Sequence, residues 1–446
     1  MPIRLVQILA MLCCMSFAIL IKWVWPYDAS LIGQPIPTMS TAVPVSEDVN
    51  AEAAIETADS DDALMAALSF QPDLYVNPIG GDDSSGDGSV ARPWHTIQQA
   101  LQAALPGATV HLADGIYAQD VRSVRTGTQA QPIRLVGGSK AIISGNGAVY
   151  VVDIRHDYIE LEGFTIDGLW LPDAPNRPDA YRRKLVYAHT NRPNEGITGL
   201  RVLSMTLQNA GDECLRLKYF ATLNEVAFSN FKNCGQLDFR FGGAGKNGEN
   251  IYIGTAPNQL DRNPTLDLDQ SNDNWIHHNV FVSNGNECVD IKEGSSRNVI
   301  EYNDCASQQD SASGGFNVRG NDNVFRFNRI FGNRGAGIRL GGTTANDGVG
   351  NHVYYNEIVN NAAGGVKFQR QTEGVVCGNR ASVKPAVGEF ATYFAPAAPC
   401  PSGVPRPIGL LGRHGGVAIA ETLVRSDVAI AQPFPGISAY FPSWHK

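Results

Sequence analysis

The sequence predicts an all-β fold, a single-stranded right-handed parallel β-helix with an amphipathic helix capping its N-terminal end. Three observations lead there. The run NWIHHNVF (274–281) recurs as NVIEYNDC (298–305), NVFRFNRI (323–330) and NHVYYNEI (351–358), and more weakly as EGVVCGNR (373–380). Its central asparagine falls at Asn279, Asn303, Asn328, Asn356 and Asn379, at intervals of 24, 25, 28 and 23 residues. β-Branched and aromatic residues occupy alternate positions between Asn- and Gly-bearing turns, and a period in the twenties with that texture marks stacked β-coils rather than helical repeats. A coil cannot bury its inward residues alone, so each needs a neighbour and the stack needs caps.

An asparagine recurring once per coil suits an inward turn, where its amide can bond the asparagine of the next coil. The alternative is that these residues only supply turns with positive φ. With 446 residues, 43% hydrophobic and 18% charged, the chain can bury a large core and is not a disordered protein. The 46 glycines and 25 prolines agree with many turns. A net charge of −9 argues against general affinity for nucleic acid.

From the N-terminus, Arg4 precedes an apolar run from Leu5 to Ile21, followed by Lys22, Trp23, Trp25 and Pro26. Residues 1–26 read as a signal peptide or membrane anchor, which places the chain outside the cytoplasm: secreted, periplasmic or at the cell surface. Any membrane contact would run through that segment. Residues 27–70, rich in Ala, Pro, Ser, Thr and acids, read as a linker or pro-segment. The β-helix is expected over 71–382 and a C-terminal cap or tail over 383–446, the whole acting as a monomer. Six cysteines follow the leader, an even number in an exported chain. The sequence does not choose among their pairings; sequence neighbours, Cys214 with Cys234, Cys288 with Cys305 and Cys377 with Cys400, are expected.

The folded part opens with a strand at 74–76, a Gly/Asp/Ser loop, and a helix on which Ile97, Ala100, Leu101, Ala104 and Leu105 keep helical spacing until Pro106-Gly107 ends it. A strand at 109–112 follows. The segments YVNPIGGDDSSGDGSVARPWHTIQQAL, PGATVHL and DGIY resemble the N-terminal region of secreted right-handed β-helix proteins of the pectate-lyase-like superfamily, including polysaccharide lyase family nine. The resemblance implies the fold, an acidic polysaccharide as partner, a lysine base, and a calcium ion held by clustered aspartates. The family's Asp-Asp-Gly-x-x-Asp run is absent here; Asn286-Glu287-Cys288-Val289-Asp290 is a loose substitute. Two segments break the period and read as loop excursions, 169–193 and 242–272, the second containing ENIYIGT.

The second run of each coil carries the chemistry. ECVDIK (287–292) is followed by GFNVRG (315–320), GIRLGG (337–342) and GVKFQR (365–370), and preceded by ECLRLK (213–218) and QLDFRF (236–241). Strand side chains alternate faces. With Val289 and Ile291 inward, parity puts Asp290, Lys292, Arg216, Lys218, Asp238, Arg240, Asn317, Arg319, Arg339, Lys367 and Gln369 on one outer face. Like charges stacked one strand apart repel, so a row holding Lys292, Arg319, Arg339 and Lys367 suits an anionic polymer lying over it. A solvated face partly balanced by Asp238 and Asp290 is the alternative.

Cleaving a uronate polymer by β-elimination requires a neutralised carboxylate, a base at carbon five and an acid for the leaving oxygen. Lys292 is the candidate base and Arg319 its catalytic partner, with Lys218, Arg240, Asn317, Arg339 and Lys367 contacting substrate. Cationic neighbours are expected to lower the Lys292 pKa, and Asp290 to oppose them unless a metal occupies its carboxylate. Glu287 and Asp290 are candidate calcium ligands, with Asp212 and Glu213 related to them; Asp261, Asp267, Asp269 and Asp273 form a second acidic set. A glycoside hydrolase recruiting Asp238, Glu287, Asp290 or Glu293 is the runner-up. A carbohydrate-binding solenoid without catalysis is the third reading.

Overall fold

The computed structural model describes residues 73–243, 245–382 and 384–406. The expected leader, linker and end of the tail lie outside these. Three parallel sheets of 11, 10 and 10 strands run the length of the described chain, and consecutive strands visit sheets A, B and C in turn. This is a right-handed parallel β-helix. Strands 275–277, 280–282 and 289–291 make one coil and pair with 299–301, 304–306 and 316–318 of the next. Most strands are three residues long because each coil must turn three times. Ile276, Phe281, Val289 and Ile291 point inward and are fully buried, stacked on Ile300, Cys305, Phe316 and Val318.

The turn between sheets A and B carries the recurring asparagine. Asn279 donates its amide N–H to Asn303 at 3.0 Å, Asn303 to Asn328 at 3.0 Å, Asn328 to Asn356 at 3.0 Å and Asn356 to Asn379 at 2.9 Å. The positive φ belongs to the preceding residues, His278, Tyr302, Phe327 and Tyr355. The asparagines therefore form a ladder and are not merely turn formers. A second ladder, Asn224–Asn274–Asn298–Asn323–Asn351, fills the turn between sheets C and A.

The helix α1 spans Ile97–Ala103, with Thr96 as N-cap accepting from the Gln99 amide. Ile97, Ala100, Leu101 and Ala104 pack on the first coil, whereas Leu105 is 47% exposed, because the helix ends before it. At the other end pairing continues past residue 382 to the strand Ala386–Val387, and Phe394 stacks on Phe368 at 4.0 Å. The three disulfides join Cys214 to Cys234, Cys288 to Cys305 and Cys377 to Cys400.

Two expected excursions each contain a sheet C strand. Lys184–Ala188 pairs with Tyr150–Ile154 and with Leu215–Leu217, and Ile251–Ile253 lies between Leu215–Leu217 and Val289–Ile291. QLDFRF is no strand: 236–240 form a π-helical turn entered through the left-handed Gly235. The insertions had displaced the period by a coil.

Glu373 takes the place of an asparagine in the second ladder. Its Oε2 accepts from the Asn351 amide at 3.0 Å, while Glu373 Oε1 and Asn351 Nδ2 are buried without partners. Burial pushes the Glu373 carboxyl up to about 8. A carboxyl raised on folding makes the fold lose stability as pH climbs from its ordinary value towards about 8. Glu373→Gln is expected to match the parent in thermal melts near pH 4 and to exceed it by roughly 1–3 kcal/mol near pH 8; a gain independent of pH would contradict this account.

Candidate active site

Sheet C presents two outward files. In the first, Arg122, Asp153, Tyr187, Arg216, Tyr252, Asp290, Asn317, Arg339 and Lys367 are register partners from coil to coil. In the second, backbone amides link His189, Lys218, Gly254, Lys292, Arg319, Gly341 and Gln369 in the same succession. Parity thus brings Lys218, Asp290, Lys292, Asn317, Arg319, Arg339 and Lys367 to one face. Arg240 is not among them: it sits in the π-helical turn, where its guanidinium bonds the Tyr181 hydroxyl and, at 3.0 Å, Asn176. Asp238 in the same turn accepts from the Asn247 amide at 2.6 Å. Tyr252 and Gly254 hold the positions expected of Asp238 and Arg240. The Tyr252 ring lies between the Arg216 guanidinium at 3.9 Å and the Lys292 ammonium at 4.5 Å.

A third file runs along the edge of the sheet. Glu213, Glu249 and Glu287 each stand two residues before the first inward side chain of their strand, on consecutive coils, and all are buried. Three carboxylates one strand spacing apart repel strongly in so dry a place. At one end Glu213 pairs with Lys184 and with Arg216, at 3.0 Å from the latter. Burial alone would raise its pKa, but these cations outweigh burial and hold it low. The other two lack such partners. Burial, followed by Glu213, pushes the Glu249 carboxyl up to about 7, and burial with Asp290 and Glu249 pushes Glu287 well above the usual range. Glu287 Oε2 has no partner.

Glu249, Glu287 and Asp290 offer oxygens that lie within 4.8 Å of one another. The structure thus joins the two expected metal ligands to a third, Glu249. Hard carboxylate oxygens with an unpartnered buried member fit a divalent cation. Three of the other acids are committed elsewhere. Asp212 accepts from Arg183 at 2.8 Å, and Asp269 is saturated by the amides of Tyr219 and Phe220 and the hydroxyls of Thr255 and Ser271. Asp273 pairs with Arg297 at 2.7 Å.

The cations divide into two groups. Lys292 is ion-paired with Asp290, Arg319 lies 2.6 Å from Glu293, and Arg216 pairs with Glu213. The expected lowering of the Lys292 pKa is overturned: burial does lower it, but Asp290, Tyr252, Glu249 and Glu287 together outweigh burial and hold the ammonium protonated. Arg339, Lys367 and Lys218 have no carboxylate partner among the described residues. Arg339 bonds Asn317 Oδ1 at 2.7 Å and the Gly341 carbonyl at 2.8 Å; Lys367 bonds the Ala312 carbonyl and Lys218 the Arg262 carbonyl. Burial, then Arg319, lowers the Arg339 pKa, and burial, then Arg216, lowers Lys218 to about 8. For Arg339 and Lys218 the nearby acids, Asp290, Glu287 and Glu293 for the first and Asp269 for the second, offset burial and the neighbouring arginines only in part.

Glu249 and Tyr252 were the residues missed. Their signal is the threefold recurrence of Glu-x-apolar-x-apolar in ECLRL (213–217), ENIYI (249–253) and ECVDI (287–291).

The fold is a parallel β-helix of the kind seen in a solved alginate lyase. The alginate lyase of Paenibacillus sp. strain FPU-7 superposes with a TM-score of 0.54 at 18% identity, covering 66% of this chain and 95% of that one. In sequence, a stretch of 87 residues is 34% identical to pectate lyase PEL9 of Emericella nidulans, spanning 19% of this chain and 20% of that protein. No family model matches.

The division of the cations is testable by paired substitution. Arg319→Gln leaves Glu293 buried and unpaired and is expected to lower stability by about 3 kcal/mol in urea titrations. Arg339→Gln removes a half-buried cation that has no carboxylate in contact. It should leave stability within about 1 kcal/mol of the parent while weakening retention in polyuronate-containing gels, and the reverse ranking would overturn the assignment.

Proposed function

We propose that this chain is an exported polysaccharide lyase that cleaves a uronate polymer by β-elimination. The observation that carries the reading is a set of cations on the outer face of sheet C without a carboxylate in contact among the described residues, Lys218 in one file and Arg339 with Lys367 in the other, on either side of a buried acidic triad. The stretch similar to a pectate lyase supports it, as do three disulfides, which suit an oxidising compartment.

In the reaction the proton at carbon five passes to a base, the bond from carbon four to the glycosidic oxygen breaks, a carbon four–carbon five double bond forms, and the leaving oxygen gains a proton. Arg339 and Lys367 anchor carboxylates of the polymer, and Arg319 lies on the coil next to Lys292 to balance charge at the reacting sugar. Lys292 is the candidate base, placed centrally beside the triad and Tyr252. It must first yield the proton that Asp290 stabilises. A second reading assigns the base to Lys218, because burial and Arg216 already bring its pKa to about 8, so its neutral form grows as pH rises through that value.

Purified protein incubated with pectate and alginate is expected to generate products absorbing in the ultraviolet from the new double bond. Lys292→Ala should reduce the rate at least about 100-fold at temperatures where its melting curve shows it folded, since the substitution also leaves Asp290 buried without its cation. Loss in Lys218→Ala instead, together with a parent rate that climbs through pH 8, would move the base to Lys218. New reducing ends without ultraviolet absorbance would replace the lyase by a hydrolase.

Calcium is the proposed cation for Glu249, Glu287 and Asp290, and when bound it would supply positive charge for a substrate carboxylate. Binding requires the carboxyls to be ionised, so affinity should strengthen as pH rises through about 7, where Glu249 titrates. Calcium is expected to raise the melting temperature of the parent reversibly, and not that of Glu287→Gln. An unchanged parent melting curve would leave the triad without a metal role.

A further inference from the structure

We infer that the disulfides Cys214–Cys234 and Cys288–Cys305 are positioning elements of the acidic triad, so that cation binding at Glu249, Glu287 and Asp290 is coupled to cysteine oxidation and weakens when these two bridges are reduced. The inference rests on the metal reading above and extends it to what holds the ligands in place and to the redox state the site needs.

The acidic file is followed, residue for residue, by a file of anchors. Cys214 comes directly after Glu213, Asn250 after Glu249 and Cys288 after Glu287. All three anchors are fully buried, and all three reach sulfur: Cys214 and Cys288 covalently, and Asn250 by donating its side-chain amide to Cys234 Sγ at 2.7 Å. Both bridges run the same way through the fold. Cys214 precedes strand 215–217 of sheet C, and Cys234 follows strand 230–232 of sheet B in the next coil, the one that carries Glu249. Cys288 likewise precedes strand 289–291 and joins Cys305 in strand 304–306, one coil on. The first bridge thus ties the coil of Glu213 to that of Glu249. The second ties the coil of Glu287 to the one bearing Ser313, whose hydroxyl donates to Glu287.

The bridges also pack against the backbone of the ligands. Gly235, next to Cys234, meets Gly248, next to Glu249, so closely that a Cβ on Gly248 would stand 2.5 Å from the Gly235 Cα. At the second bridge a Cβ on Gly315 would stand 2.8 Å from Cys305 Sγ, and the Gly315 carbonyl accepts from the Cys288 amide at 2.8 Å. The chain behind Glu249 and behind Glu287 therefore has no slack on the side of the sulfurs.

Buried carboxylates one strand spacing apart repel, and the readiest relief is for their turns to move apart. Covalent ties across that same corner oppose the movement and keep the oxygens together before any cation arrives, which is the preorganisation a cation site requires. Such coupling is reciprocal: if the bridges strengthen cation binding, a bound cation makes the bridges harder to reduce. The third disulfide, Cys377–Cys400, starts from the last strand of sheet A, four coils beyond the coil of Glu287, and serves as an internal control.

The test is calorimetric titration of the oxidised full chain with calcium chloride, at a temperature where melting curves show every variant folded. Cys288→Ala with Cys305→Ala, and Cys214→Ala with Cys234→Ala, are each expected to weaken calcium binding about tenfold or more, whereas Cys377→Ala with Cys400→Ala leaves it unchanged. The parent supplies a second measurement that needs no variant to fold. Dithiothreitol reduces a bridge by two electrons and two protons, giving two cysteine thiols and its own cyclic disulfide. After equilibration with dithiothreitol, alkylation and peptide mass spectrometry, calcium should lower the reduced fraction of Cys214–Cys234 and Cys288–Cys305 and not that of Cys377–Cys400. Equal affinity in all three variant pairs, or equal protection of all three bridges, overturns the inference while leaving calcium at the triad. Absence of calcium binding by the oxidised parent removes the metal reading itself, and the inference with it.

Discussion

The asparagine ladder is the constraint from which the rest of this molecule follows. Each rung receives a backbone amide and a side-chain amide from the coil before, as when Asn303 accepts from both nitrogens of Asn279. Asn303 then donates to the Ile276 carbonyl and to Asn328. A buried amide in this turn has all its needs met only if the next coil repeats the same turn at the same height, because unmet buried polar groups are expensive. Regular height makes the inward rows of Ile, Val and Phe superimpose, and it lines up the outward rows as well. The site is a by-product of that regularity.

Superposition also has a liability, because it stacks like on like. Apolar and amide rows gain from this, whereas acids do not. Glu213, Glu249 and Glu287 repeat one position through three coils, and the protein balances only the first with Lys184 and Arg216. Along the neighbouring files it alternates chemistry instead: Arg216, Tyr252 and Asp290 succeed one another, and Lys292 and Arg319 each find an acid one or more residues away. Where alternation fails, at Glu249 with Glu287 and at Arg339 with Lys367, charge of one sign accumulates at the groove. Those two failures lie on either side of the proposed reacting centre, one suited to a cation and the other to an anion.

How much of this was legible follows from where the period was intact. The ladder from Asn279 to Asn379, the inward residues and the outward parity of Asp290, Asn317, Arg319, Arg339 and Lys367 lie in coils without long insertions. Spacing alone therefore located them. Insertions at 168–183 and 233–250 delayed the next strand, so KLVYA and ENIYI were read as loop and QLDFRF as strand. Tyr252 was lost with them, and Arg240 was misplaced. Parity, moreover, reports direction and not partners: it placed Lys292 beside Asp290 without revealing that burial would turn proximity into a tight ion pair. The Glu249 contribution required knowing which coil stands above which, and a one-coil slip conceals that.

The disulfides give the solenoid a particular mechanical grain. Cys214–Cys234 and Cys288–Cys305 close loops of 20 and 17 residues, less than one coil, and Cys377–Cys400 closes 23. None ties distant parts together, so each clips a coil to the adjoining turn much as a staple joins neighbouring pages. Since every strand also pairs only with the strands one coil away, cohesion is local throughout and passes along the axis from neighbour to neighbour. A pull applied along that axis would be borne coil by coil, and the two stapled steps nearest the groove bracket Glu249, Tyr252 and Asp290. Strain arriving from either end would therefore be shed in the unstapled coils first, leaving the reacting face the last stretch of the column to lose its shape.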